Sequence, residues 1–192
     1  MLTDQERWNK SFYGKLRLVL DNRPLNFSRV DLTTETTHTG GDRYHTSENT
    51  NSGYKATFFN YLTANSFEDD AYDFYFRYSD EDDSFSISTR AKEWLTISNN
   101  GYLYLTPEPT YCKHFRLLSS DRSKRLSLAD MTEEQNEIII QVISIDYVWD
   151  GAGPNHAGDH KWSYMIGVPA TPTNGCKLKL SITRRGVEGY ID

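Results

Sequence analysis

The stretch Tyr72–Arg90 constrains the fold more than any other part of the chain. It reads Tyr-Asp-Phe-Tyr-Phe-Arg-Tyr, then an acidic turn Ser-Asp-Glu-Asp-Asp, then Ser-Phe-Ser-Ile-Ser-Thr-Arg. Apolar and polar residues alternate on both sides of that turn, the period of a β-hairpin and not of a helix. Tyr72, Phe74, Phe76 and Tyr78 share one face, and Phe85 and Ile87 meet them from across the turn. Ser84, Ser86 and Ser88 face the other way, with Tyr75, Arg77 and Arg90 as the outer counterpart of the hairpin.

The same period recurs along the chain. Lys15–Asp21 alternates Leu16, Leu18 and Leu20 with polar residues and ends at the turn Asp21-Asn22-Arg23-Pro24. Phe27–Thr37 is Thr- and Val-rich, and Tyr54–Thr63 resumes strand character after the polar stretch His38–Gly53, which reads as a long loop. Glu93–Thr106 predicts a second hairpin. Its Asn100-Gly101 supplies the positive φ angles of a type I′ turn, and Pro107 and Pro109 close it. Cys112–Leu118, Glu137–Tyr147, Lys161–Val168 and Cys176–Thr183 complete the strands. In Glu137–Tyr147 both faces are apolar, which places it near the centre of the fold. Trp149–Trp162 is rich in Gly, His and Asp and reads as a loop. Ser127–Gln135 carries a Ser-x-x-Asp start and predicts one short helix. Residues 1–13 form an N-terminal arm pinned by Trp8, and residues 14–192 a single domain.

The expectation is therefore an antiparallel all-β domain of about nine or ten strands, first as a β-sandwich. The alternative is a β-trefoil, in which Trp94–Leu118 would be one of three modules. Modules beginning near Lys15 and Glu137 are the other two candidates, but neither carries a comparable Asn-Gly hairpin.

Composition narrows the function. The net charge of −6 over 192 residues argues against nucleic acid, whose phosphates require a basic face. Met1–Lys10 has no apolar core, so no secretory leader is expected, and the protein is placed in the cytoplasm or released without one. No run is long and apolar enough for a transmembrane helix. Two cysteines, Cys112 and Cys176, are too few for a disulfide scaffold and read as free thiols.

Aromatic residues make up 14 % of the chain, with 13 Tyr. Tyr75, Tyr102, Tyr104, Tyr111, Tyr147, Trp149, Trp162 and Tyr164 fall on strands or strand ends. Amphipathic rings in such places suit sugar stacking or a lipid headgroup. From this pattern Tyr75, Arg77, Ser88, Tyr102, Tyr104, Trp149 and Trp162 are the candidate ligand-binding residues. The one basic cluster, Arg116–Arg125, suits phosphate groups or an acidic partner. His156, Asp159 and His160 are a candidate metal set, although glycines around them argue against the helix that would bring the two imidazoles together. No nucleophile motif or phosphate loop is present, and no cofactor is expected.

Leu18-Val-Leu-Asp-Asn22, the Thr-rich strand after it, the Gly-containing polar loop and the Tyr72–Arg90 hairpin together resemble the actinoporin and aegerolysin-like β-sandwiches. The resemblance covers roughly residues 16–95. It implies a compact sandwich that binds membrane lipid or sugar headgroups and in some members opens pores. Ser88 is placed like the serine that lines the headgroup site in that family. The proline that follows two residues later is Arg90 here, the Trp-Trp segment is reduced to Trp94, and residues 1–13 lack the family's amphipathic helix.

The functional expectation is a non-enzymatic module that binds a glycan or lipid headgroup, with a toxin or defence role as its setting. A protein-interaction or inhibitor domain is the first alternative. A carboxylate- or metal-dependent hydrolase is the second.

Overall fold

A computed structural model describes residues 2–39, 47–67, 69–153, 155–157 and 160–187, with the backbone alone for 28–39, 47–59 and 157. The chain is antiparallel all-β, as expected, but its one short α-helix among the described residues lies in the N-terminal arm and not at Ser127–Gln135. Helix α1 spans Asp4–Lys10, and the strands are β1 Phe12–Leu18, β2 Leu25–Thr39, β3 Ser47–Asn65, β4 Asp73–Ser79, β5 Ser84–Ser88, β6 Trp94–Ile97, β7 Leu103–Thr106, β8 His114–Ser119, β9 Asn136–Val142, β10 Tyr147–Gly151, β11 Asn155–Ala157, β12 His160–Pro169 and β13 Leu178–Arg185.

The pairings close on themselves. β1 pairs β4, β4 pairs β5, β5 pairs β8, β8 pairs β9, β9 pairs β13, and β13 returns to β1. Three hairpins, β2–β3, β6–β7 and β10–β12, leave this six-strand ring, one between the first and last ring strands of each module. Within the all-β class this is the four-strands-by-three connectivity of the trefoil alternative. The modules begin at Phe12, Ser84 and Asn136. Their unequal spacing comes from the long β2–β3 hairpin in the first module and the added strand β11 in the third.

The alternation that predicted the Tyr72–Arg90 hairpin also fills the core. Phe74, Phe76, Phe85 and Ile87 are buried in one cluster with Phe12, Leu16, Phe115, Ile140 and Leu180. Phe12 stacks on Phe76 at 4.6 Å between ring centroids. β9 is buried on both sides, with Ile138, Ile139, Ile140 and Val142 each 2 % exposed or less.

Several expectations need correction. The His38–Gly53 stretch is largely strand: β2 runs to Thr39, β3 starts at Ser47, and the two pair from Ser28↔Phe58 out to Thr39↔Ser47. Thr and Ser tolerate an extended ribbon, and their polarity hid it. The tip, 40–46, lies outside the described residues. Trp149–Trp162 is likewise β10 and β11 with the start of β12. The Ser127 start signature is real, because the Ser127 and Asp130 side chains cap each other's backbone, but only one 3-10 turn forms, over Leu128–Asp130. Gly101 alone has positive φ in its turn (+84°), so the β6–β7 connection is not type I′. Instead Gly101 N donates to Ser98 O at 2.9 Å, a four-residue turn closed by glycine.

The arm ends two residues sooner than expected, at Ser11, because Phe12 already belongs to β1. Helix α1 forms despite its length of 7 residues because Thr3 and Glu6 build a capping box. It is also tied down. Asp80 accepts from Arg7 Nε at 2.9 Å and from Leu2 N at 2.8 Å, and Ser11 Oγ accepts from Tyr78 N at 3.0 Å.

Candidate functional site

Strand alternation sorts the predicted aromatics. Along β7, Leu103 and Leu105 are buried while Tyr102 and Tyr104 lie outside them, half-exposed. Along β12, Ser163 and Met165 are buried while Trp162 and Tyr164 are half-exposed. In β3 the buried Leu62 leaves Tyr61 on the outside.

The three hairpins then bring these rings together. β3 meets β7 at Tyr61↔Tyr104, β12 meets β3 through Trp162↔Asn65 and Tyr164↔Thr63, and the β6–β7 turn meets β12 at Tyr102↔Ile166. Gly167 N donates to Gly101 O at 2.8 Å and locks the last junction. The absence of a side chain at Gly101 allows that approach, since a Cβ there would sit 3.3 Å from Gly167 O, and a Cβ at Gly167 would sit 2.9 Å from the Ile97 side chain.

The outcome is a platform of five rings. Tyr61 lies 5.9 Å from both Tyr102 and Tyr104 and 6.0 Å from Tyr164. Tyr164 lies 5.2 Å from Tyr102 and 5.0 Å from Trp162, both edge-on. Four of the five contacts are edge-to-face and Tyr61–Tyr104 is tilted, geometries that favour ring pairing while each of the five residues stays half-exposed. Tyrosine and tryptophan combine an apolar body with a polar tip, the surface that suits the alternating C–H and hydroxyl faces of a sugar or the edge of a lipid headgroup layer.

Of the seven predicted ligand-binding residues, the platform contains Tyr102, Tyr104 and Trp162. Tyr61 and Tyr164 join them, and only their spatial convergence singles them out. Tyr75 and Ser88 are fully buried. The Tyr75 ring packs against Tyr13 at 5.0 Å, and its hydroxyl donates to Val187 O at 3.2 Å, so its role is structural and not ligand-binding. Trp149 is fully buried as well and meets the Phe115 ring edge-on, so it is a core residue. Arg77 is exposed, on the opposite side of β4 from the core.

The His156 segment is strand β11, where a loop was expected. His156 is exposed and opposite Lys161 in the ladder, while His160 is half-exposed with its ring 4.5 Å from Phe67. Asp159 lies outside the described residues. Among the described residues no group of three or more His, Cys, Asp or Glu is placed to hold a metal ion. Cys112 and Cys176 are both free thiols. Burial pushes the Cys112 thiol up to about 11 and Cys176 to about 12, so neither is poised as a nucleophile. No helix among the described residues is long and apolar enough to cross a membrane. Comparison of the chain with protein-family models, with curated proteins and with solved structures returns no match.

Proposed function

We propose that this chain is a non-enzymatic binding module whose aromatic platform takes a carbohydrate or a lipid headgroup. The observation that carries the reading is the convergence of Tyr61, Tyr102, Tyr104, Trp162 and Tyr164, from three separate hairpins, on one half-exposed surface. A folding core has no need of rings that stop halfway to solvent, and such rings are costly to leave without a use. The net charge of −6 favours a neutral or zwitterionic ligand surface over an anionic bilayer.

A glycan array and flotation with phosphatidylcholine vesicles test the reading side by side. Retention on one of the two surfaces is expected, with Tyr102→Ala and Tyr164→Ala each weakening it at least tenfold while the far-UV spectrum is unchanged. Wild-type protein that is retained on neither surface would sink the proposal.

A further inference from the structure

The outer wall of the ring carries a second arrangement that the platform does not use. In the ladder, Arg77 of β4 stands opposite Ser86 of β5, and Ser86 stands opposite His114 of β8. Two residues further along β5, on the same face, Ser88 stands opposite Trp94 of β6. Adjacent strands lie roughly 4.8 Å apart, so Arg77 and His114 flank a slot about 10 Å wide whose floor is the small Ser86. Trp94 sits diagonally across that floor, within reach of a ligand lying on it.

The slot is covered from one side by the one-turn helix Pro109–Tyr111. That cover is fixed by Thr96 Oγ1, which donates to Tyr111 O at 2.6 Å, and by Lys113 N, which donates to Leu95 O at 3.2 Å. The open groove has a volume of about 330 Å³, enough for one or two sugar rings.

The polar groups in the slot are unevenly satisfied. Asp80, at the rim, is matched by Arg7 and by the Leu2 amide. His114 is oriented through Nδ1 by Ser84 Oγ at 3.1 Å, which leaves Nε2 for another partner. Arg77 lines the groove and has no carboxylate partner among the described residues. A guanidinium is a rigid fork whose natural complement is a carboxylate held by two parallel hydrogen bonds. A half-buried indole beside it offers a stacking face for the C–H side of a pyranose.

The three-module connectivity allows the position to be compared between modules. The equivalent place in the third module, between β8, β9 and the 170–177 loop, is a wider and more basic groove of about 860 Å³ that includes Arg125 and Lys177. The equivalent place in the first module is bridged by Lys15 and Asp70 at 2.7 Å. Of these two grooves, among the described residues, the one beside β4, β5 and β8 combines an arginine, an indole and a histidine.

We infer that the Arg77–Ser86–His114 slot is a second binding site, for a saccharide that carries a carboxylate, with Arg77 holding the carboxylate, Trp94 stacking on the ring and His114 bonding a hydroxyl. The site is distinct from the platform, and the two readings stand or fall separately.

Amide and indole NMR titration of the full chain with methyl β-D-glucuronide, methyl β-D-glucoside and acetate provides the test. The glucuronide is expected to shift the Trp94 indole and Ser86 resonances, at least tenfold more tightly than the neutral glucoside or acetate. Arg77→Ala is expected to abolish that preference. Arg77→Lys, which keeps the charge without the fork, is expected to lose most of it, and Tyr102→Ala to leave it intact. Equal response to acetate and glucuronide would reduce the slot to a plain anion site and overturn the inference. So would glucuronide shifts that survive both Arg77→Ala and Trp94→Phe, or the absence of shifts at Trp94 and Ser86.

Discussion

Trp149 and Phe115 meet edge to face, with ring centroids 5.4 Å apart and planes at 87°. The contact joins β10 of the third module to β8 of the second at the seam of the ring. Both residues are fully buried, and Trp149 Nε1 has no acceptor among the described residues. Trp149→Ala is expected to cost about 3–5 kcal/mol, from lost contact and the void left behind. Trp149→Phe keeps the edge contact and removes the unsatisfied donor, so it is expected to cost clearly less. Urea unfolding of the two variants checks the order, and an Ala variant as stable as the Phe variant would contradict it.

Gly101 holds two roles at once. Its φ of +84° closes the β6–β7 turn, and its carbonyl accepts from Gly167 N across the platform. Alanine there is forced toward a left-handed conformation that costs about 1–2 kcal/mol. Gly101→Ala is therefore expected to lower the melting temperature by roughly 3–6 °C in a chain of this size. Thermal unfolding followed by circular dichroism measures it, and an unchanged midpoint would show that the turn relaxes without strain.

Alternation made the ring strands legible. Phe74, Phe76, Phe85 and Ile87 were predicted to face one another, and they do so in the core because period-two patterning has one buried solution. The modules were harder to see. Their hairpins differ in length and chemistry, and only the second carries an Asn-Gly turn, so self-similarity in residues is weak where self-similarity in pairing is strong. β11 was hidden because it is only Asn155-His156-Ala157 in a Gly- and Asp-rich sequence, a segment of low strand propensity paired here with the neighbouring β12. Among site residues, Tyr102, Tyr104 and Trp162 could be picked out because they alternate with buried neighbours. Tyr75 and Trp149 alternate in the same way, but Tyr75 packs in a second small cluster with Tyr13 and Val187 and Trp149 turns into the main core against Phe115, and no local pattern reveals either placement.

The two cysteines occupy matching places, just before the last ring strands of the second and third modules. Burial raises both thiols, Cys112 to about 11 from an ordinary value of 9.0 and Cys176 further. At pH 8 the thiolate population of Cys112 is then about 100-fold smaller than in the unfolded chain. Labelling by a disulfide reagent at pH 8 is expected to be slow in native protein and to become fast in 8 M urea. Rapid labelling of either cysteine without denaturant would show that the thiols are more open than their packing indicates.

Helix α1 is held by a carboxylate whose ionisation sets its pH range. The Asp80 carboxyl lies at about 2, lowered first by the hydrogen bond from the Leu2 amide and then by that from Arg7, against an ordinary 3.8. A folded-state value below the unfolded one means that the stabilisation is complete above the unfolded value and is lost as pH falls through the folded one. The helix is therefore expected to stay docked from neutral pH down to about 4 and to detach between about 4 and 2. Asp80→Asn removes the charge at every pH and is expected to loosen α1 already at pH 7. The amide resonances of Trp8 and Tyr78 report the change, because Trp8 rides on the helix and Tyr78 N is bonded to Ser11 Oγ at its end. Detachment at pH 5, well above the ordinary carboxyl range, would assign the tether to another group. A helix still docked in Asp80→Asn at pH 7 would show that Ser11 and the Lys10 ammonium, 4.5 Å from the centre of the Tyr78 ring, suffice to hold it.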